Sequence, residues 1–215
     1  MALRVAADNA TLTAGLAALG ERPDLAEPLL AYRDLLARWN RVYNLSAVRD
    51  PAAMVTRHLL DSLVVRPWLP TGALLDVGTG PGLPGIPLAV AEPDRPVTLL
   101  ESNGKKTRFL AQACLELGLS NVEVVQTRLE DYARAEGFSG VICRAFSEAG
   151  TFWAGIRHLL APGAPALAMK GRRQDHELAG LEQAGVSCRW HQLDVPGLDA
   201  ERHLLIMTGT EPATG

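Results

Sequence analysis

The stretch Leu74-Leu75-Asp76-Val77-Gly78-Thr79-Gly80-Pro81-Gly82-Leu83-Pro84-Gly85 constrains this chain more than any other. An apolar run ends in an acid and enters a segment with glycine at 78, 80, 82 and 85. This reads as a buried strand turning sharply into a loop that a ligand approaches, because glycine tolerates both the left-handed turn and the close backbone contact. Residues 80 to 85 also satisfy Gly-x-Gly-x-x-Gly, the dinucleotide fingerprint, so the pattern alone leaves several nucleotide ligands open.

The surrounding pattern supplies the sheet that such a loop needs. Short apolar runs at Ala73–Val77, Val97–Glu101, Val122–Val125, Val141–Arg144 and Ala166–Lys170 alternate with helical patterns near 85–91, 104–118, 148–160 and 174–184. That alternation predicts a parallel α/β sheet with helices on both faces. Two more strands, Val186–Leu193 and His203–Thr208, are separated by Pro196, Gly197 and Asp199 with no helix between, so they read as an antiparallel pair closing the sheet. Seven strands ending this way outline the class I methyltransferase fold, a Rossmann-like sheet with an antiparallel last strand. A dinucleotide domain more often has six parallel strands.

Upstream the character is helical. Leu25, Leu29, Leu30, Leu35, Leu36, Trp39 and Val42 recur at three- and four-residue intervals, with Arg33, Asp34, Arg38 and Arg41 between them as a polar face. A second helix is expected from about Asp50, a capping residue followed by Pro51, to Val65. The division predicted is a helical extension over 1–66, an α/β domain over 67–210 and a disordered tail over 211–215.

The 215 residues suffice for this architecture without disulfides, since a chain of that size buries roughly 70% of its unfolded surface. The three cysteines, Cys114, Cys143 and Cys188, are odd in number and form no C-x-x-C pair, which predicts reduced structural thiols and no metal site. No window approaches 18 uncharged apolar residues and the start lacks a signal pattern, so a soluble, cytoplasmic protein without membrane contact is expected. A net charge of −3 draws in no polyanion over the whole surface, and any nucleic-acid contact must be local. Lys105, Lys106 and Arg108 form one basic cluster and Lys170, Arg172 and Arg173 another, each short enough to be an ordinary solvated face.

The prolines and the acid discriminate between ligands for the glycine loop. A pyrophosphate site uses free backbone N–H groups and avoids negative charge. Here Pro81, Pro84 and Pro87 remove three donors, and Asp76 stands two residues before the first glycine. S-adenosylmethionine, with its ammonium and sulfonium, suits that loop better than a diphosphate, and Asp76, Gly78, Gly80, Gly82 and Leu83 are its candidate contacts. Glu101, 21 residues after Gly80, is placed to accept from both ribose hydroxyls, a feature shared with dinucleotide sites. Leu129, Glu130 and Asp131 follow the third strand where an adenine would lie, Leu129 to pack on the ring and Glu130 or Asp131 to accept from its amino group.

Reacting groups in α/β sheets lie at the carboxyl ends of the strands, which brings Arg144-Ala145-Phe146 and Lys170 beside the loop. The fourth strand is not followed by the Asn/Asp-Pro-Pro-aromatic arrangement of amino-group methyltransferases. Cys143 and Cys114 sit inside a strand and a helix, where neither serves as a nucleophile. What remains is an acceptor needing little acid–base help, such as the N7 of guanine, which carries a lone pair and no proton. His58, His158 and His203 read from the residues alone as structural groups.

Several segments carry a resemblance: Tyr43-Asn44-Leu45-Ser46-Ala47-Val48-Arg49-Asp50, Arg57-His58-Leu59-Leu60-Asp61-Ser62, the glycine loop through Pro87, Glu101-Ser-Asn-Gly-Lys-Lys-Thr-Arg-Phe-Leu, and Arg144-Ala145-Phe146. Together they are similar to the bacterial glucose-inhibited division protein B family, the small-subunit ribosomal RNA guanine-N7 methyltransferases. The resemblance implies a donor bound around Gly78, Leu83, Leu129, Glu130 and Arg144, with Arg144 the candidate catalytic group, and a target at guanine 527 of 16S rRNA. It implies RNA contacts at Asn44, Arg57 and His58, to which Lys105, Lys106, Lys170, Arg172 and Arg173 are natural additions, in a protein expected to be a monomer. Arg57 and Asp61 equally fit an i,i+4 pair bracing a helix. Cys143 stands where the resemblance leads one to expect Ser, and nothing after Arg172 carries a signature. The competing reading is a regulatory module that binds an adenosyl ligand or a dinucleotide without methyl transfer.

Overall fold

The computed structural model describes residues 2–144, 146 and 148–209. The tail expected to be disordered, 211–215, lies outside these, as does Ala145.

Helices α1 (Ala2–Ala18) and α2 (Ala26–Tyr43) lead into α3 (Pro51–Met54), which continues through a π-helical stretch, Val55–Leu60, into α4 (Asp61–Leu63). The α/β part follows as β1 (Leu74–Val77), α5 (Gly85–Ala91), β2 (Val97–Leu100), α6 (Gly104–Leu117), β3 (Val122–Val125), β4 (Gly140–Arg144), α7 (Ala149–Ile156), β5 (Ala166–Lys170), α8 (Leu178–Gln183), β6 (Val186–Gln192) and β7 (His203–Gly209). Capping fixes two helix starts. Asp50 accepts from the Ala52 N–H ahead of α3, and Asn103 accepts from the Lys105 N–H at 2.9 Å ahead of α6.

The sheet runs β3-β2-β1-β4-β5-β7-β6, with β7 antiparallel to both β5 and β6 and the other pairs parallel. This seven-stranded sheet with an antiparallel last strand is the class I methyltransferase fold that the strand pattern predicts. Strands β1, β2 and β5 are buried along their whole length, which is why they read as unbroken apolar runs. Alternation sends Leu75 and Val77 to a core shared with α7, and Leu74 to a second core shared with α5 and the N-terminal helices. The helical extension and one face of the sheet therefore have a single core, running from Leu12 and Leu36 to Ile86 and Leu204.

Helix α2 departs from the expected polar face. Arg33 is 2% exposed, paired with Asp8 of α1 at 2.6 Å and with Asp34 at 2.7 Å, because α1 packs over that side of α2. Val42, expected on the apolar stripe, is 69% exposed, since α2 ends one residue later with Asn44 in the left-handed region.

Candidate active site at the carboxyl ends of the strands

The glycine loop is built by the two acids that flank it. Asp76 at the end of β1 accepts through Oδ2 from the Thr79 hydroxyl at 2.5 Å and from the Gly85 N–H at 2.8 Å, tying both ends of the loop to the strand. Glu101, just past β2, accepts through Oε2 from the Gly80 N–H and through Oε1 from the Asn103 N–H, both at 2.9 Å. Gly78, Gly80 and Gly82 have φ of 62°, 62° and 95°, so the turn is left-handed at three points. At Gly82 a side chain would strike Ile86 and at Gly85 it would strike Leu99 and Asp76, whereas at Gly78 it would enter open space. From the extension, buried Tyr32 donates to the Pro81 carbonyl at 2.7 Å and fixes the crown of the loop.

That open space belongs to a cavity of about 250 Å³ lined by Val77, Gly78, Leu100, Glu101, Ser102, Thr127, Leu129, Glu130 and Phe146, among others. Its lining combines two acids, Glu101 and Glu130, with apolar side chains and with Arg128. Among the described residues each Glu101 oxygen accepts one hydrogen bond, with Lys106 Nζ 3.7 Å from Oε2, and each has lone-pair capacity for another, so the carboxylate is oriented without being saturated. A carboxylate with acceptor capacity beside the apolar side chains of Leu129 and Phe146 is a lining that an adenosine group would fit.

A second cavity, of about 380 Å³, opens over the ends of β4 and β5 and is lined by Val48, Arg57, His58, Asp61, Arg144, Met169, Lys170, Gly171, Leu193, Arg202 and His203. Asp61 is 3% exposed and bridges two cations, Arg144 Nη1 at 3.3 Å and Arg202 Nε at 2.7 Å. Arg144 Nη1 also donates to the Arg57 carbonyl at 3.2 Å. His58 engages both ring nitrogens, Nδ1 with the Arg57 carbonyl and Nε2 with the Ser46 hydroxyl, each at 2.8 Å. Burial, reinforced by the Arg144 charge, lowers its pKa to about 4, so the ring is neutral at pH 7. Asn40 holds the Ser46 turn in place, accepting from the Ser46 N–H and donating to the carbonyls of Ser46 and Val48. The Arg144 charge acts on Asp76 and Tyr32 beneath the loop as well as on His58, while its side chain lines the second cavity.

A profile of the family described as rRNA small subunit methyltransferase G matches residues 25–205. The chain belongs to this family. It is 49% identical over 199 residues to the ribosomal RNA small subunit methyltransferase G of Xanthomonas oryzae pv. oryzae, covering 93% of this chain and 94% of that one. The relative of the same name from Methylococcus capsulatus is 50% identical over 195 residues, 90% and 95% of the two chains. Among solved structures, glycopeptide N-methyltransferase MtfA complexed with S-adenosylmethionine matches with a TM-score of 0.60 at 14% identity, over 72% of this chain and 88% of that one. The DhpI complex with S-adenosylhomocysteine matches at 0.56 and 18%, over 86% and 97%. At those identities the likeness is one of fold.

In this chain the residues singled out from sequence separate into groups. Gly78, Glu101, Leu129 and Glu130 line the first cavity, and Arg57, His58, Arg144 and Lys170 line the second. Asp76, expected beside the ligand, has no exposed surface, because its strand position faces α5 and the loop folds over it. Leu83 is likewise buried, turned inward by the left-handed glycines before it. Gly80 and Gly82 shape the loop. Asn44 caps α2 in the left-handed region and accepts from Arg49. Lys105, Arg172 and Arg173 are exposed, and Lys106 lies 3.7 Å from Glu101. Of the two readings left open for Arg57 and Asp61, the helix brace is not seen among the described residues, where Asp61 pairs with Arg144 and Arg202. The π-helical turn changes the angular step per residue, so a spacing of four no longer decides which side chains meet. Sequence reasoning missed Tyr32, Asn40 and Arg202 as parts of the site.

Proposed function

We propose that this protein transfers the methyl group of S-adenosylmethionine to N7 of guanine 527 in the 16S rRNA of the small ribosomal subunit, acting in the cytoplasm. The observation that carries the reading is the character of the second cavity. Arg57, Arg144, Lys170 and Arg202 surround a single acid, Asp61, that two guanidiniums already engage. Such a surface attracts a phosphate backbone and leaves no carboxylate available to take a proton from the acceptor. His58, neutral and bonded at both nitrogens, is no base either.

N7 of guanine carries an in-plane lone pair and no hydrogen, so this chemistry needs no proton removed. When bound, the donor supplies a methyl group on a sulfonium, activated for in-line displacement. The protein's own residues then position and exclude. Glu101 orients the ribose, Leu129 and Phe146 hold the adenine, the Gly78 backbone allows close approach, and Arg144 stands between donor and acceptor regions. Positioning of this kind supplies roughly 7–11 kcal/mol of barrier lowering.

Small subunits and naked 16S rRNA from a strain lacking the enzyme, each incubated with protein and labelled donor, test the reading. Label together with borohydride–aniline cleavage at that guanine is expected. Label without cleavage there refutes the N7 assignment, and comparison of the two substrates shows which one is used.

A further inference from the structure

Asp61 joins three distant parts of the chain. Its backbone N–H is fixed at the end of the π-helical turn by the carbonyls of Thr56 and His58. Its two carboxylate oxygens each take a guanidinium, one from β4, 83 residues away, and one from the segment just before β7, 141 residues away. The carboxylate is 4% exposed, whereas the side chains of Arg144 and Arg202 are 21% and 26% exposed and line the cationic cavity. Arg202 is held further by donation from Nη1 to the Glu201 carbonyl at 2.8 Å. These contacts use part of each five-donor guanidinium fork.

We propose that Asp61 is a positioning residue that holds Arg144 and Arg202 as two jaws closing on one RNA phosphate group at the mouth of the cavity. This rests on the reading of that cavity as the rRNA site. Without a shared carboxylate, two guanidiniums on one half-buried rim would repel each other and turn to solvent. With it, the triad keeps a net charge of +1 and presents two planar donor groups in fixed orientation, the geometry that bidentate phosphate recognition requires. Arg202 thereby becomes an RNA-contacting residue from the C-terminal part of the chain. Asp61 itself touches neither donor nor RNA, and acts through the two arginines.

The test is a double-mutant cycle on steady-state methylation of small subunits by the full-length protein, with kcat and RNA KM separated and folding checked by thermal melting. Asp61→Asn and Arg202→Ala are each expected to raise RNA KM by about tenfold, and the double variant to be within about twofold of the worse single, because both changes open the same jaw. Effects on RNA KM that multiply to about a hundredfold, or losses confined to thermal stability with RNA KM unchanged as for a merely structural ion pair, overturn the proposal. If Asp61→Asn fails to fold, Arg202→Ala alone decides. A rise in KM with the salt slope of RNA binding reduced by about one unit supports the jaw, and an unchanged KM and slope overturn it. Wild type provides the separate control, since absence of transfer by wild type overturns the reading of the cavity and the proposal with it.

Discussion

Tyr32 donates a hydrogen bond to the carbonyl of Pro81 at 2.7 Å across 49 residues of sequence, joining the helical extension to the crown of the glycine loop. The phenol is fully buried, and burial raises its pKa, so it remains a donor at any working pH. The extension is thus part of the donor site's support.

Tyr32→Phe keeps the ring and leaves the Pro81 carbonyl without its partner. A loss of about 1–3 kcal/mol of stability is expected, the scale for a buried acceptor left unsatisfied. S-adenosylhomocysteine affinity should fall with it. Thermal melting and calorimetric titration check both, and an unchanged titration would disconnect the extension from the loop.

Glu101→Ala removes the acceptor for the Gly80 and Asn103 N–H groups together with the proposed ribose contact. Donor affinity is expected to fall by about 1.5–3 kcal/mol, roughly ten- to a hundredfold in Kd. A titration with S-adenosylhomocysteine measures it, and an unaltered curve removes Glu101 from the site.

The glycines divide by what surrounds them. Gly85→Ala would bring a Cβ within 2.2 Å of Leu99 and 2.7 Å of Asp76, so about 1–3 kcal/mol of stability should be lost. Gly78→Ala meets nothing within 4 Å, and its folding cost is limited to about 1–2 kcal/mol for a left-handed residue. Gly78 lines the cavity proposed for the donor, so donor binding is the property this variant should lose most. Equal loss of donor affinity in the two, after correction for stability, would contradict that division.

Two buried titratable groups oppose each other in the pH dependence of stability. Burial raises Asp76 from 3.8 to about 7, against hydrogen bonds from Thr79 and Gly85 that work the other way. The folded state therefore keeps a proton that the unfolded state has lost, and this contribution to stability declines as pH rises from about 4 to about 7. His58 is lowered from 6.5 to about 4, so the unfolded state binds the extra proton, and its contribution declines as pH falls from 6.5 to about 4. The slopes, each up to about 1.4 kcal/mol per pH unit, largely cancel. Relative to wild type, Asp76→Asn should gain stability with rising pH across this window, and His58→Gln should lose it. Denaturant midpoints between pH 4 and 7 measure this, and variants that run parallel to wild type would refute it.

Much of this was legible because it is local. Buried parallel strands announce themselves as short apolar runs, the loop by glycines that the left-handed turn demands, and Glu101 by its place after β2. What was not legible depends on contacts across the fold. Arg33 looked solvated until α1 supplied Asp8, and Tyr32 carried no motif that pointed to Pro81. Arg202 lay in a segment without signature, and only the pairing of β7 beside β5 brings it to Asp61. Asp76 was found from sequence, but its orientation was not, since an acid at a strand end can face the ligand or the helix that covers it. The Arg57–Asp61 spacing could not decide between its two readings because a π-helical turn is invisible to a period of 3.6.

The central claim is methylation of guanine at N7 by a site that needs no base. Nucleoside mass analysis of 16S rRNA from a strain lacking the enzyme, before and after treatment with protein and S-adenosylmethionine, tests it most directly. The account predicts one added 7-methylguanosine per 16S rRNA, confined to the fragment containing guanine 527. A methyl group recovered on an exocyclic amine, a pyrimidine or a ribose would contradict it.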